Sequence, residues 1–130
     1  RLMAEFETFR RRSSEDRLNL ISSAAADTIK GLLPVLDDCE RAMEILEKSS
    51  DEAAKEGTSL IYTKLMDYLK TRGLAKIEAK GEDFNTDFHE AVTQFPAPSE
   101  DMKGKVIDVV QTGYMLNGKI LRYAKVVVGA

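Results

Sequence analysis

The amino-acid sequence predicts an α+β protein, in which a long helix and a short second helix precede a small C-terminal all-β domain. Apolar residues follow a helical period in the N-terminal part, the period changes to two after Gly73, and Asn117-Gly118 separates two apolar stretches. The predicted boundaries follow these changes of pattern: the long helix over 1–48, the second helix over 49–73 and the β domain over 74–130.

The long helix is predicted from apolar residues that recur every three or four positions. The stripe consists of Leu18, Ile21, Ala25, Ile29, Leu32, Leu36, Cys39, Met43 and Leu46. Gly31 and Pro34 interrupt good helix-forming sequence within one turn. Proline removes a backbone donor and crowds the preceding turn, so we expect a kink near Pro34 in one helix rather than two separate helices.

The length of this helix predicts a homodimer. A helix of roughly 45 residues is about 68 Å long at ~1.5 Å per residue, whereas a compact chain of this size has a radius of gyration of ~14 Å. A short second helix cannot cover such a stripe, so its near-3.5 spacing predicts paired long helices and a four-helix bundle in the dimer. The alternative is a monomer with a frayed N-terminal half. The predicted dimer interface contains Ile21, Ala25, Ile29, Leu32, Leu36, Cys39 and Met43.

The second helix is predicted over about 51–71. The spacing of Ser49 and Glu52 is that of a capping box, and Gly73 stands where a left-handed glycine commonly ends a helix.

The β domain is predicted from alternation and turn residues. We expect strands at 74–79 and 105–112, and a hairpin of 113–116 and 119–128 around Asn117-Gly118. The stretch 82–92 has a mixed pattern, with a short turn or helix expected near 87–91. Val126 and Val128 lie on the opposite strand face from Val127, so this strand is either central in its sheet or partly covered by a partner.

Composition excludes several classes of function. Nineteen Lys and Arg against 22 Asp and Glu give a net charge of −3, without the basic surplus that nucleic-acid binding requires. No stretch approaches the ~20 apolar residues of a membrane span. We therefore expect no nucleic-acid or membrane partner. Because the first residue is Arg1 rather than Met, we also expect this chain to be part of a longer protein.

Cysteine and histidine are too few for most site chemistry. Cys39 is the single cysteine, which fits a reducing compartment, and one Cys with one His cannot build an ordinary zinc cluster. His89 lies near Glu82, Asp87 and Glu90 in sequence, but a packed histidine is favoured over an acid–base site, and a small hydrolase stays a distant alternative. With no phosphate-binding glycine loop or nucleophile arrangement, we predict no enzyme, no cofactor and no direct nucleotide binding.

Two stretches of the long helix are candidates for binding a protein. The run Arg10-Arg11-Arg12 indicates a solvated face or a partner contact. Arg41 and Glu44 lie on one helix edge, with Ile45 off the apolar stripe. The pattern leaves open whether Arg41 and Glu44 form a local ion pair, worth a few tenths of a kcal/mol, or belong to a protein-binding face.

Three segments together resemble the GrpE family, the nucleotide exchange factors of DnaK-type chaperones. They are Leu32-Leu33-Pro34-Val35-Leu36-Asp37-Asp38 with Glu40-Arg41-Ala42; Phe84 to Val92, ending in His-Glu-Ala-Val; and Gly113-Tyr114-Met115-Leu116-Asn117-Gly118-Lys119-Ile120-Leu121-Arg122 with Ala124, Val126 and Val128. The family usually has Asp-Pro where this chain has Asn85-Thr86, and often Arg at Lys119, where lysine keeps the charge but loses the planar fork.

The resemblance implies a homodimeric co-chaperone that binds the ATPase domain of a DnaK-type chaperone and holds its nucleotide cleft open, so that ADP leaves. It also implies a location in the bacterial cytoplasm, with a mitochondrial form after removal of its transit peptide as the alternative, and long helices that sense temperature. Asn19 matches a basic family position, so that contact is expected to be absent. The partner-binding residues that it implies are Arg10, Arg11, Arg41, Glu44, Ile45, Lys119 and Val128. The alternative is a structural coiled-coil adaptor that shares the dimer but does not affect nucleotide release.

Overall fold

The computed structural model describes residues 1–130 and confirms the α+β fold class, with a long helix, a shorter helix and a small all-β domain of two sheets. The chain divides into two units, Arg1–Leu32 and Leu33–Ala130. The elements are α1 (Leu2–Glu47), α2 (Glu52–Thr71), β1 (Leu74–Lys76), β2 (His89–Phe95), β3 (Val106–Gln111), β4 (Tyr114–Leu116), β5 (Lys119–Arg122) and β6 (Ala124–Gly129), with a short 3-10 turn at Glu100–Met102.

Helix α1 continues through Pro34 without an interruption. In the part of α1 that belongs to the first unit, nearly every side chain is exposed, and only Ile29 is buried. In the second unit Leu33 and Leu36 are fully buried. The kink predicted at Pro34 stays a prediction. Neither helix has the length of apolar sequence that a membrane crossing requires.

Helix α2 begins and ends with local hydrogen bonds. The Asp51 carboxylate accepts from the Ala54 N–H at 3.1 Å, so Asp51 is the N-cap, and the capping box predicted from Ser49 is wrong. Ser49 instead accepts from the Asp51 N–H through its hydroxyl. At the other end Gly73 has a φ of 98° and donates to the Lys70 carbonyl, as a glycine following a helix does.

The β domain contains two three-stranded sheets, ordered β1-β4-β5 and β2-β6-β3. In the first sheet all pairs are antiparallel, and the predicted hairpin joins β4 to β5 through Asn117 and Gly118, whose positive φ values of 50° and 81° suit a type I′ turn. In the second sheet β6 lies in the centre, parallel to β2 and antiparallel to β3. The strand with valines on both faces is therefore a central strand, which is one of the two alternatives that the sequence left open.

One strand prediction was wrong, since 119–128 is two strands that break at Tyr123 and enter different sheets. The turn expected near 87–91 is present over 86–88, where the N–H groups of Phe88 and His89 donate to the Asn85 carbonyl, and β2 begins directly after it at His89. Every β2 side chain after His89 is exposed, so the burial pattern of this edge strand does not alternate. Its position depends on backbone pairing with β6, which the side-chain pattern does not report.

The core of the β domain is formed by Ala79, Val106, Ala124, Val126 and Val128. Tyr114 and Gly113 are also buried. A Cβ atom on Gly113 would lie 2.4 Å from the Ala124 backbone nitrogen, so only glycine permits the close approach of β4 and β6.

Candidate protein-binding surface

An open groove of about 620 Å³ separates the middle of α1 from β3. Its helix wall presents four acidic side chains and one arginine, and its other wall is the end of β3 with the loop that follows. We call it the α1–β3 groove; it is lined by Pro34, Asp37, Asp38, Glu40, Arg41, Glu44, Val109, Val110, Gln111, Thr112 and Arg122.

The groove contains two of the residues predicted to bind a partner, Arg41 and Glu44. Arg41 pairs with Asp38 at 2.5 Å rather than with Glu44, and both side chains of that pair are about 70% exposed, so water screens the pair. Glu44 has no ion-pair partner. The local Arg41–Glu44 pair that the sequence left open is therefore not formed, and both groups face solvent.

The remaining predicted partner-binding residues lie outside this groove. Ile45 follows Glu44 on α1 and is 69% exposed, so its apolar surface is open to a partner. Lys119 is exposed at the start of β5. Val128 lies in the other sheet and is only 7% exposed, because it packs in the β-domain core.

Arg10 and Arg11 belong to the first unit and are exposed there. The Arg10 guanidinium lies 5.0 Å from the centre of the Phe6 ring, on the same helix face. Cation–π contacts at exposed sites are worth about 0.5–1 kcal/mol, so Arg10 stays available to another molecule.

The residues predicted for a dimer interface differ in exposure within the single chain. Ile21 is 59% exposed and Ala25 is also exposed, whereas Leu32, Cys39 and Met43 are partly covered. Ile29 is buried, and Leu36 is completely so. The chain's own contacts thus cover Leu36, whereas the apolar surface of Ile21 is open.

Sequence reasoning missed a set of polar contacts that join α1 to the sheet β1-β4-β5. Asp37 accepts two hydrogen bonds from the guanidinium of Arg122, each 2.7 Å long, and the two side chains are only 25% and 17% exposed. Arg122 also donates to the Thr112 carbonyl at 2.6 and 3.1 Å, and its guanidinium carbon lies 5.4 Å from the centre of the Tyr114 ring. This bidentate pair fixes the orientation of both groups.

Glu40 lies one turn after Asp37 and accepts hydrogen bonds from three hydroxyl groups. They come from Thr112 at 2.9 Å, Tyr62 at 3.2 Å and Tyr114 at 3.4 Å. The Lys76 ammonium lies 3.5 Å from the same carboxylate. Burial, followed by the negative charge of Glu40, raises the pKa of Tyr114, so its hydroxyl stays protonated and donates.

We call Asp37, Glu40, Thr112, Tyr114 and Arg122 the α1–sheet joint. The hydrogen-bonded pairs that connect its two acids on α1 to its other three members are 72 to 85 residues apart in sequence, so no local spacing reports them. The signal available was two acidic residues three positions apart beside a buried stripe, together with one arginine in a strand. Long-range pairing between them cannot be deduced from that pattern alone.

His89 is buried between aromatic residues rather than exposed in a cleft. Its Nδ1 accepts from the Asn85 N–H at 3.0 Å, and the rings of Phe84 and Phe88 lie 6.0 and 6.5 Å away. Burial lowers the pKa of His89, and the negative charge of Glu82 opposes this shift. The arrangement is that of the packed histidine favoured from the sequence. No group of three or more His, Cys, Asp or Glu side chains is placed to hold a metal ion.

Comparison with known proteins agrees with this architecture. The chain matches the family model for GrpE over residues 1–130. It is 48% identical to Protein GrpE of Bacteroides fragilis, and 49% identical to those of Parabacteroides distasonis and Porphyromonas gingivalis. Each match extends over 130 residues and covers 99% of this chain and 67% of the relative. The chain therefore belongs to the GrpE family, the co-chaperones of the nucleotide-exchange-factor class.

Proposed function

We propose that this chain binds the ATPase domain of a DnaK-type chaperone and accelerates release of ADP by holding the nucleotide cleft open. Family membership over the whole chain supports the proposal most strongly. The exposed positions of Arg41, Glu44 and Ile45, none of which packs in the protein core, give it a surface on α1. Lys119 gives it a second one on the β4–β5 hairpin.

The mechanism requires only differential binding. A factor that binds the open and closed states of its partner equally well shifts nothing, however tight the complex. Turning a 1:99 population of open partner into 99:1 requires about 5.5 kcal/mol of preference for the open state. Two separate contact surfaces on one rigid protein can supply this preference, because only one partner conformation matches both at once.

We further propose that the protein acts as a homodimer with paired α1 helices, in which α2 completes a four-helix bundle. The exposed apolar residues of the first unit, Ile21 among them, support this arrangement. The same proposal divides the chain by function into a dimerising helix over 1–48, a bundle helix over 49–73 and a β domain over 74–130. We also propose a cytoplasmic location.

The test is the release rate of a fluorescent ADP from a DnaK-type ATPase domain, measured over a range of concentrations of this protein. We expect a large, saturable acceleration, and no binding of ADP to this protein alone. A dimer by light scattering without acceleration would overturn the proposal and leave the structural adaptor as the function.

A further inference from the structure

The α1–sheet joint lies between two parts of the proposed contact surface. Asp37 and Glu40 precede Arg41 and Glu44 on α1, and all four line the α1–β3 groove. Arg122 ends the strand that Lys119 begins. The contacts of Asp37 and Glu40 with the sheet therefore determine where the hairpin lies relative to the groove.

The geometry of the joint restricts rotation as well as separation. A bidentate guanidinium–carboxylate pair is planar, so both 2.7 Å contacts of Arg122 are kept only in one relative orientation of strand and helix. Glu40 adds the hydroxyl groups of Thr112, in the loop that leads into β4, and of Tyr114, the first residue of β4. The exposed Arg41–Asp38 pair, by contrast, lies within one helix and orients nothing beyond it.

We propose that Asp37 and Glu40 are positioning residues, which hold the sheet β1-β4-β5 in one orientation on α1. In that orientation Lys119 and the exposed α1 surface that contains Arg41 and Glu44 together fit only the open state of the ATPase domain. This inference rests on the proposed function. With a loosened joint the two surfaces can adjust to the closed state as well. The protein then still binds its partner, but its preference between the two states falls.

The kinetic test uses the isosteric variants Asp37→Asn and Glu40→Gln, singly and combined. The combined variant is expected to lower the maximal acceleration of ADP release about fivefold or more, with the half-saturating concentration changed by less than about twofold. Glu47→Gln is the matched control, since Glu47 is an exposed acid on the same helix and makes no ion pair. An unchanged maximum in the combined variant, or a change in half-saturation alone, would overturn the positioning role.

A second measurement reports the joint without the chaperone. Spin labels are attached at Lys48→Cys on the end of α1 and Ala75→Cys on β1, both exposed, with Cys39→Ser, and the labelled chain is diluted into excess unlabelled protein. The parent and Glu47→Gln are expected to give one narrow distance distribution, and Asp37→Asn with Glu40→Gln a broader one.

The outcomes separate the two proposals. A narrow distribution in the combined variant would overturn the positioning role even if exchange changed. If the combined variant unfolds, the single Asp37→Asn variant, which keeps the Glu40 contacts, must show the broadening and the reduced maximum for the inference to stand. A parent protein that does not accelerate ADP release would instead overturn the proposed function.

Discussion

Lys119 is an exposed cation at the beginning of β5, with no ion-pair partner in its own chain. If it contacts an acidic group of the ATPase domain, Lys119→Glu replaces attraction with repulsion and is expected to lower exchange at least about tenfold, or ~1.4 kcal/mol. The dimer should persist, because Lys119 is not among the apolar residues of the predicted interface. Release of fluorescent ADP together with light scattering checks both statements.

The matched control for Lys119 is Lys80→Glu, which introduces the same charge change at another exposed lysine of the β domain. Equal loss in both variants would indicate a general effect of net charge rather than a contact at Lys119. Unchanged exchange in Lys119→Glu would contradict the contact.

His89 makes the stability of the β domain dependent on pH. Its folded-state pKa is lowered, chiefly by burial, so below the ordinary pKa of about 6.5 the unfolded chain binds more protons than the folded one. The contribution of neutral His89 to the free energy of unfolding is therefore fully present above that pH. It decreases as the pH is lowered, by at most about 1.4 kcal/mol per pH unit for one proton. Denaturant unfolding between pH 7 and 5.5 measures this slope.

The variant His89→Asn provides the comparison, because an amide oxygen can accept from the Asn85 N–H but does not titrate. His89 is the only histidine, so the slope between pH 7 and 5.5 should disappear in this variant. A slope that persists would assign the pH dependence to other groups.

At the scale of residues, helical spacing sufficed to place Arg41, Glu44 and Ile45 on one exposed stretch of α1. It could not identify Asp37 and Glu40 as partners of the sheet. Both acids belong to the segment that resembles the family, yet their hydrogen-bond partners lie 72 or more residues later for all contacts except Tyr62. Such contacts depend on the whole fold and leave no local pattern.

At the scale of elements, Gly113 directly precedes β4 and packs closely against Ala124, the first residue of β6. A Cβ atom there would meet the nitrogen, Cα and Cβ of Ala124 at 2.4 to 2.9 Å, and two of these atoms are backbone atoms that cannot move aside cheaply. Gly113→Ala is therefore expected to destabilise the β domain by about 1–3 kcal/mol, the usual cost of overpacking. Thermal or denaturant unfolding measures the loss.

Gly57 supplies the control for this substitution. It lies inside α2, and a Cβ atom there meets nothing within 4 Å. Gly57→Ala should stabilise by up to about 1 kcal/mol, because alanine favours a helix interior more than glycine does. Destabilisation of equal size in both variants would contradict the steric explanation for Gly113.

Elements differed in how well the sequence predicted them. The helices and the β4–β5 hairpin were predictable, because apolar periodicity and the Asn117-Gly118 turn are local signals. Strand β2 was not, since its side chains from Glu90 to Phe95 are all exposed and only its backbone pairs with β6. The break at Tyr123 was missed because no glycine or proline lies between 119 and 128 to mark it, although β5 and β6 enter different sheets.

At the scale of the whole molecule, the first unit differs from the second in what could stabilise it. From Arg1 to Ala25 no residue is buried. Even the apolar side chains of Leu18, Leu20 and Ile21 are each more than half exposed. In proteins most helix stability comes from packing of an apolar face rather than from intrinsic helix propensity. If the packing partner is a second copy of the chain, helix stability in this unit must depend on protein concentration.

Heating should therefore unfold the protein in two steps. We expect an early loss of helix, followed by melting of the β domain, when circular dichroism near 222 nm is recorded together with a β-domain probe such as the NMR signals of the β6 backbone amides. The midpoint of the first step should increase with protein concentration by mass action, and that of the second should not.

Ile21→Asp is expected to weaken dimerisation at least about tenfold, because it places a charge in an apolar interface, and so to lower only the first midpoint. Ser23→Asp adds the same charge two positions later, on another helix face, and should leave both midpoints unchanged. One cooperative transition, or a first midpoint independent of concentration, would contradict a dimer built on α1.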